Sequence, residues 1–246
     1  MEHLKDRRTI RRYAARDVDE ALLNELLELA ERTQTMGNLQ LYSVVITRDA
    51  AMKERLASPH LNQPMVTQAP VVLTVCADFN RTVRWAEQRQ AVPGYDNFLS
   101  FMNAATDALL YAQTFCNVAE SRGLGICYLG TTLYQPNEII DVLELPRLVM
   151  PVATLTVGWP DECPAQTDRL PLPAVVHHER YADYTPERID AYYTYKEGLP
   201  ENRHFVEVNH KETLAQVFTD LRYTKADNEC MSVCLLKTLQ RQGFLE

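Results

Sequence analysis

The chain has 246 residues, a net charge of −8 and 46% hydrophobic residues. Those values fit one globular domain with a sizeable core, and the acidic balance argues against a nucleic-acid partner. No apolar run is long enough to span a bilayer and the first residues carry no apolar signal core, so a cytoplasmic protein without membrane contact is expected.

In chain order, Arg7-Arg8-Thr9-Ile10-Arg11-Arg12-Tyr13 is a basic segment in an acidic chain. Glu20 to Ala30 has leucines at helical spacing, with Asp17 or Asp19 as N-cap. Thr33 to Gln40 is turn-like, Tyr42 to Thr47 is a β-branched strand, and Ala50 to Ser58 is a short helix. Pro59 to Pro64 is a loop, and Val71 to Cys76 is a strand apolar on both faces. Asn80 to Gln90 is a polar, basic-flecked helix or ordered excursion. The strongest helical signal runs from Asn97 to Arg122, with Phe98, Phe101, Met102, Ala105, Leu109, Ala112, Cys116 and Ala119 on one face. Its other faces are also apolar, which predicts burial nearly all round, in a core or against a partner subunit. Gly123 follows as C′. Gly125 to Gly130 is a short strand, Pro136 to Leu143 a helix with Pro at N1, and Val149 to Val157 a second buried strand. Asp161 to Pro173 is irregular, Pro186 to Tyr195 helical, and Lys196 to His210 a mobile surface loop. Thr213 to Leu221 and Ala226 to Gln242 are closing helices. The whole reads as a single α+β domain over residues 1–246, with a mobile excursion around 196–225 and helices around a small sheet.

The six cysteines are scattered and form no CxxC pair; they read as buried thiols, and no metal site is expected. No strand leads into a G-x-G-x-x-G turn, and there is no nucleophile elbow, HExxH or Walker loop. No acid/base pair announces itself. Chemistry without obvious catalytic side chains points to a cofactor. The arginine segment then reads as an anion clamp, since guanidinium forks suit phosphate or carboxylate. A solvated basic turn and a nucleic-acid contact are the alternatives that the residues alone leave open.

Four segments together resemble the flavin-dependent nitroreductases. Arg7 to Tyr13 is similar to their R-[ST]-I-R-x-[FY] opening. Thr35-Met36-Gly37-Asn38-Leu39-Gln40 resembles a second, polar cofactor loop. Arg122 to Gly130 resembles the G-L-G turn and short strand beside the flavin, and Gly158-Trp159-Pro160 with Arg169-Leu170-Pro171 resembles a late turn and arginine of the same site. Ala77-Asp78-Phe79-Asn80-Arg81 also resembles the longer, NADPH-preferring, oxygen-insensitive subgroup. The resemblance covers roughly residues 3 to 182.

The resemblance implies a nitroreductase-like α+β fold, a small mixed, mostly antiparallel sheet surrounded by helices in an intertwined homodimer. It implies FMN, with NADPH or NADH as electron donor, and small-molecule acceptors such as nitroaromatics, quinones or free flavin, served in ping-pong fashion. Arg8, Arg11 and Thr9 would hold the FMN phosphate, with Arg169 approaching it and Arg7 at the phosphate or ring edge. Thr35, Gly37 and Gln40 would line the ribityl and pyrimidine side, and Gln63 would hydrogen-bond the isoalloxazine. Tyr128, Leu129 and Gly130 would lie along the ring, Gly130 admitting a backbone N–H near N5. No side chain is expected to be essential as acid or base. Met36 and Thr167 depart from the family pattern, which often has Ser and Lys there. Same-fold alternatives are a reductive dehalogenase or a flavin-fragmenting enzyme; a flavin carrier or sensor and a plain anion-binding module are the others.

Overall fold

The structure is a computed structural model that describes residues 2–245. The chain groups into two compact units, one comprising the chain up to Ala165 with the stretch from Met231 onward, the other Gln166–Cys230.

The first unit opens with a turn of helix, α1 (Glu2–Lys5), and then the extended arginine segment. Helix α2 (Glu20–Ala30) is capped by Asp19, whose carboxylate accepts from Ala21 N at 2.9 Å, and it buries Leu23, Leu26 and Ala30. Strand β1 (Tyr42–Thr47) is followed by α3 (Ala50–Ala57), α4 (Pro64–Gln68), β2 (Val71–Asp78) and α5 (Asn80–Gln88). The long helix α6 (Phe98–Ser121) leads through Gly123, at φ +81°, into β3 (Gly125–Leu129). Helix α7 (Pro136–Leu143) and β4 (Val149–Gly158) complete the sheet.

The sheet order is β1-β2-β4-β3. All three pairings are antiparallel, so the mixed sheet expected from the resemblance is not what this chain forms by itself. The β1–β2 and β3–β4 connections return the chain to the end of the sheet that it left, whereas the one from β2 to β3, through α5 and α6, carries it to the opposite end, since both strands run antiparallel to β4. Every residue of β2 and β4 is buried. Helix α6 and α2 cover one face, joining Val71, Leu73, Val75 and Ala77 to Ala104, Ala108, Ala112 and Phe115. Helices α3, α4 and α7 cover the other, where Val72, Cys127 and Leu129 meet Leu56, Val66 and Ile139. Between β2 and β4 the register shifts: Val75 faces Ala153 but Cys76 faces Pro151, leaving Val152 over as a bulge.

Helix α6 is not buried all round. Phe101, Ala104, Ala105, Ala108, Ala112 and Phe115 face the core, whereas Leu99 (69%), Met102 (45%), Leu109 (42%) and Leu110 (44%) are exposed. The thiols also divide: Cys76, Cys116 and Cys127 are buried, while Cys163 and Cys230 are exposed.

In the second unit, residues expected as a loop from Lys196 to His210 are helical instead. Helix α8 (Pro186–Gly198) continues past Tyr195, and Pro200 opens α9 (Pro200–Val208) at its first turn, where its missing N–H costs nothing. Thr213 and Gln216 form a reciprocal capping box for α10 (Leu214–Val217), which runs into a π-turn, Phe218–Arg222. The last helix, α11 (Lys225–Arg241), returns to the first unit and buries Leu239 in its core.

His60 is fully buried, with Nδ1 2.8 Å from Thr131 Oγ1 and Nε2 enclosed without a partner. Burial pushes its imidazole pKa down to about 4, so the ring folds in neutral form. An unfolded histidine takes up a proton near its ordinary value, whereas the folded one resists, so stability is full above about pH 6.5 and falls as pH drops toward 4. Urea titrations across that window should show a decline of up to about 3 kcal/mol that His60→Gln flattens; identical slopes for both proteins would contradict the assignment. A Cβ at Gly158 would lie 2.7 Å from Pro70 Cδ and 2.8 Å from the Tyr13 ring. Gly158→Ala should therefore destabilise the fold by about 1–3 kcal/mol in the same assay.

Candidate functional site

The basic segment is fastened along the outer side of β3 and the end of β4. Ile10 N donates to Ile126 O at 3.0 Å, Ala14 N to Trp159 O at 2.9 Å, and Asp161 N to Arg12 O at 3.1 Å. Ile10 is buried directly over Gly125, where a Cβ would come within 2.7 Å of three Ile10 atoms. The Tyr13 hydroxyl lies 2.6 Å from Thr156 Oγ1 and 2.9 Å from the Ile10 carbonyl, and burial raises its pKa. Apolar Ile10 and half-buried Tyr13 thus anchor a run of charges that would otherwise repel itself away from the fold.

Each arginine takes a distinct local environment. Arg7 Nε is 3.2 Å from Glu120 Oε1. Arg8 Nη1 donates to the Asp6 carbonyl at 2.7 Å, and its Nε is enclosed without a partner. The backbone N–H groups of Arg11 and Arg12 both donate to Glu162 Oε1, at 2.6 and 3.0 Å, and Arg12 Nε lies 3.2 Å from Glu162 Oε2. Those amides, Arg11's first, hold the Glu162 carboxyl below its ordinary value. Burial raises Glu120, against the pull of Arg7. Burial likewise raises the Cys127 thiol, and the guanidiniums of Arg11 and then Arg7 oppose it. Arg7 and Arg11 therefore converge electrostatically on the same point of β3, while Arg8 and Arg12 are engaged elsewhere. Arg7 and Arg8 line a cleft of about 280 Å³ with Glu120, Gly125, Glu162 and Cys163.

Beyond the far end of β3, Tyr128 and Gly130 are exposed, whereas Leu129 is buried in the second core cluster. Leu129 is 2% exposed as a whole, and its carbonyl accepts from Thr132 Oγ1 at 2.8 Å. A Cβ built on Gly130 meets nothing within 4 Å, so the chain leaves an open shelf there. Gln63 stands at the N-terminus of α4, after two left-handed residues, Leu61 (φ 57°) and Asn62 (φ 53°). The buried bond from His60 to Thr131 ties this loop to the turn after Gly130. Nothing in the sequence marks His60, Glu120 or Glu162; each is an isolated residue whose partner lies far along the chain.

The loop with Thr35, Gly37 and Gln40 is a 3₁₀ turn in which Gly37, Asn38 and Gln40 all have left-handed backbone, at φ 55°, 56° and 53°. Gly37 and Gln40 are exposed, and Arg81 donates to the Gln40 carbonyl. In the second unit, Arg169 is exposed and folds back on its own neighbours, with Nη1 2.8 Å from Thr167 Oγ1 and 2.8 Å from Asp168 O. The Asp168 carboxylate is held by Lys196 at 3.1 Å.

Two features fit a phosphorylated planar cofactor. One is a cationic end at the Ile126 side of β3; the other is a side-chain-free shelf at Gly130. Four residues of strand at about 3.3 Å each separate them by about 13 Å. The guanidiniums at the first end are donors of the kind that binds phosphate.

Comparison with known proteins agrees. The family model described as "Nitroreductase family" matches residues 4–159. The FMN reductase [NAD(P)H] of Bacillus subtilis (strain 168) is 34% identical over 196 residues, 77% of this chain and 78% of that protein. The oxygen-insensitive NADPH nitroreductase of Salmonella typhimurium is 30% identical over 181 residues, 74% of each chain. A crystal structure from Bacteroides fragilis NCTC 9343 superimposes with a TM-score of 0.99 at 60% identity over 100% of both chains. The NfrA1 nitroreductase from B. subtilis superimposes with a TM-score of 0.86 at 27% identity, covering 99% of this chain and 98% of that one. With its sheet, its fastened arginine segment and its open glycine shelf, this chain belongs to the nitroreductase family.

Proposed function

We infer that this chain is an NAD(P)H-dependent FMN oxidoreductase acting as a homodimer in the cytoplasm. The single observation that carries the reading is the arginine segment fixed at one end of β3, with an open glycine shelf at the other. When bound, FMN supplies the hydride chemistry, taking a hydride from NADPH or NADH and passing it to a nitroaromatic, quinone or flavin acceptor in two half-reactions.

The protein's own part is binding and exposure. Arg11 and Arg7, with Thr9 between them, hold the phosphate end, and Arg8 closes the cleft beside them. Glu120 keeps Arg7 extended, and Glu162 orders the backbone of Arg11 and Arg12. Gln63 and the backbone of Gly130 address the ring, whose free face stays open because Gly130 has no side chain. The relatives' names favour NADPH as donor. No helix among the described residues is long and apolar enough to cross a membrane.

The second copy is argued from α6. Leu99, Met102, Leu109 and Leu110 form an exposed apolar row on a helix whose other faces fill the core. A row of that kind marks a protein interface. Covering it with a second copy would bring the loop with Thr35, Gly37 and Gln40, fastened to the same helix, to the partner's cofactor.

Purified protein should be yellow, bleach under NADPH without oxygen, and recolour with a nitroaromatic or quinone. Protein that takes up no added FMN would refute the assignment. Arg11→Ala should weaken FMN binding by about tenfold or more, the loss expected for a charge-assisted hydrogen bond, as read by flavin fluorescence. Leu109→Glu with Leu110→Glu should convert a dimer of roughly twice the chain mass to monomer in light scattering and release flavin; an unchanged mass would show that the apolar row is not the interface.

A further inference from the structure

The loop at 35–41 has an unfavourable backbone. Three of its residues hold left-handed conformations, and two of them, Asn38 and Gln40, are not glycine. Such conformations cost free energy and persist where the surroundings over-determine them. Its exposed residues offer little packing: Met36, Gly37, Asn38 and Gln40 all face solvent. Something beneath the loop must hold it.

Leu39 and Leu41 pack on the core and Arg81 donates to the Gln40 carbonyl, but one carboxylate bonds the backbone at both ends of the loop. Asp107, on α6, is 2% exposed. Its Oδ1 accepts from Met36 N at 2.9 Å and its Oδ2 from Leu41 N at 3.1 Å. The two amides bracket the loop, so a single side chain fixes both ends. Each bond joins a carboxylate acceptor to a backbone donor, the stronger class of hydrogen bond, with the Leu41 bond buried and the Met36 bond part-buried. The next turns of α6 extend the attachment. Tyr111 stacks on Tyr42 at 4.4 Å between ring centroids, and Thr114 Oγ1 lies 3.0 Å from Thr33 Oγ1. The helix therefore grips the segment before, within and after the loop, and Asp107 is the only one of the three that touches its ends.

We propose that Asp107 is the positioning residue of the cofactor loop: it holds Thr35, Gly37 and Gln40 in the strained geometry in which they meet the flavin. The proposal rests on the flavin reading above. It adds that the loop's shape is set by a carboxylate that never contacts the cofactor. Both oxygens are required, because the two donors sit on opposite branches of the carboxylate. An asparagine would keep the size but present an N–H₂ to one of the two amides.

The test uses the full chain and Asp107→Asn. Apo protein of each would be titrated with FMN, followed by flavin fluorescence and the visible spectrum of the bound form, with apo melting temperature and dimer mass as controls. Expected is FMN binding weakened by about tenfold to a hundredfold in D107N, with an altered spectrum, while the controls stay close to the unsubstituted protein. Equal affinity and spectrum in a folded D107N would overturn the proposal. Hydrogen exchange on the unsubstituted apo protein is the second arm, independent of whether the variant folds. Met36 and Leu41 amides should exchange slowly beside fast Asn38 and Gln40; fast exchange at Met36 and Leu41 would also overturn it. Should the unsubstituted protein bind no FMN, the flavin reading fails, and slow exchange at those two amides would still separate that failure from a failure of the clamp.

Discussion

The close approach of the arginine segment to the sheet governs the rest of the site. Two glycines permit it. Gly125 leaves room for Ile10 and Gly158 for the Tyr13 ring, each where a Cβ would sit under 3 Å from neighbouring atoms. The backbone bonds to Ile126 and Trp159 form at that separation and no larger. Hydrophobic burial of Ile10 thus positions charge: the apolar residue supplies the free energy that keeps its cationic neighbours against the fold. Without the two missing side chains the segment would lift off, and the guanidiniums would be ordinary solvated charges.

Crowded cations need counter-charges. Glu120 faces Arg7, Glu162 faces Arg12 and receives the Arg11 amide, and Cys127 lies within the field of Arg7 and Arg11. Both glutamates come from segments far along the chain, so the cluster assembles only when the fold does. The carboxylates also preorganise the site. Repulsion among the arginines is relieved before a ligand arrives, and an entering phosphate meets guanidiniums already held in place. The low pKa of Glu162 is one consequence of that arrangement.

Much of the local structure was legible in the residues. Strand β1 spans Tyr42–Thr47 as its β-branched run implies, β3 lies between Gly125 and Leu129, and Pro136 opens α7. These segments carry strong local signals: branched side chains, glycine boundaries, a proline at N1. The stretch after Lys196 misled because its polar composition resembles a loop, while its helices depend on Pro200 and the Thr213–Gln216 cap. The faces of α6 could not be separated by sequence, since apolar residues occupy all of them; the sheet decides which go inside. At the site, the motif order located the segments but not the direction of each side chain. That Leu129 turns into the core follows from tertiary contacts that no local pattern encodes, and Arg8 is drawn to a backbone carbonyl only two residues away, a direction that its residue type does not announce.

The double-sided burial of β2 and β4 has a consequence for how the chain finds its pairing. In a sheet with one wet face, sliding a strand by a single residue exposes its apolar side chains, and that penalty enforces the correct frame. Here both faces are buried, so the cost of a slip falls on the few polar residues, such as Thr154 bonded to Thr132 and Thr156 bonded to Tyr13. The bulge at Val152 beside Pro151 is a further mark: proline has no N–H to offer the neighbouring strand, so a slip would set that gap against a different carbonyl. The kink in the ladder acts as a reading mark beside those side-chain bonds.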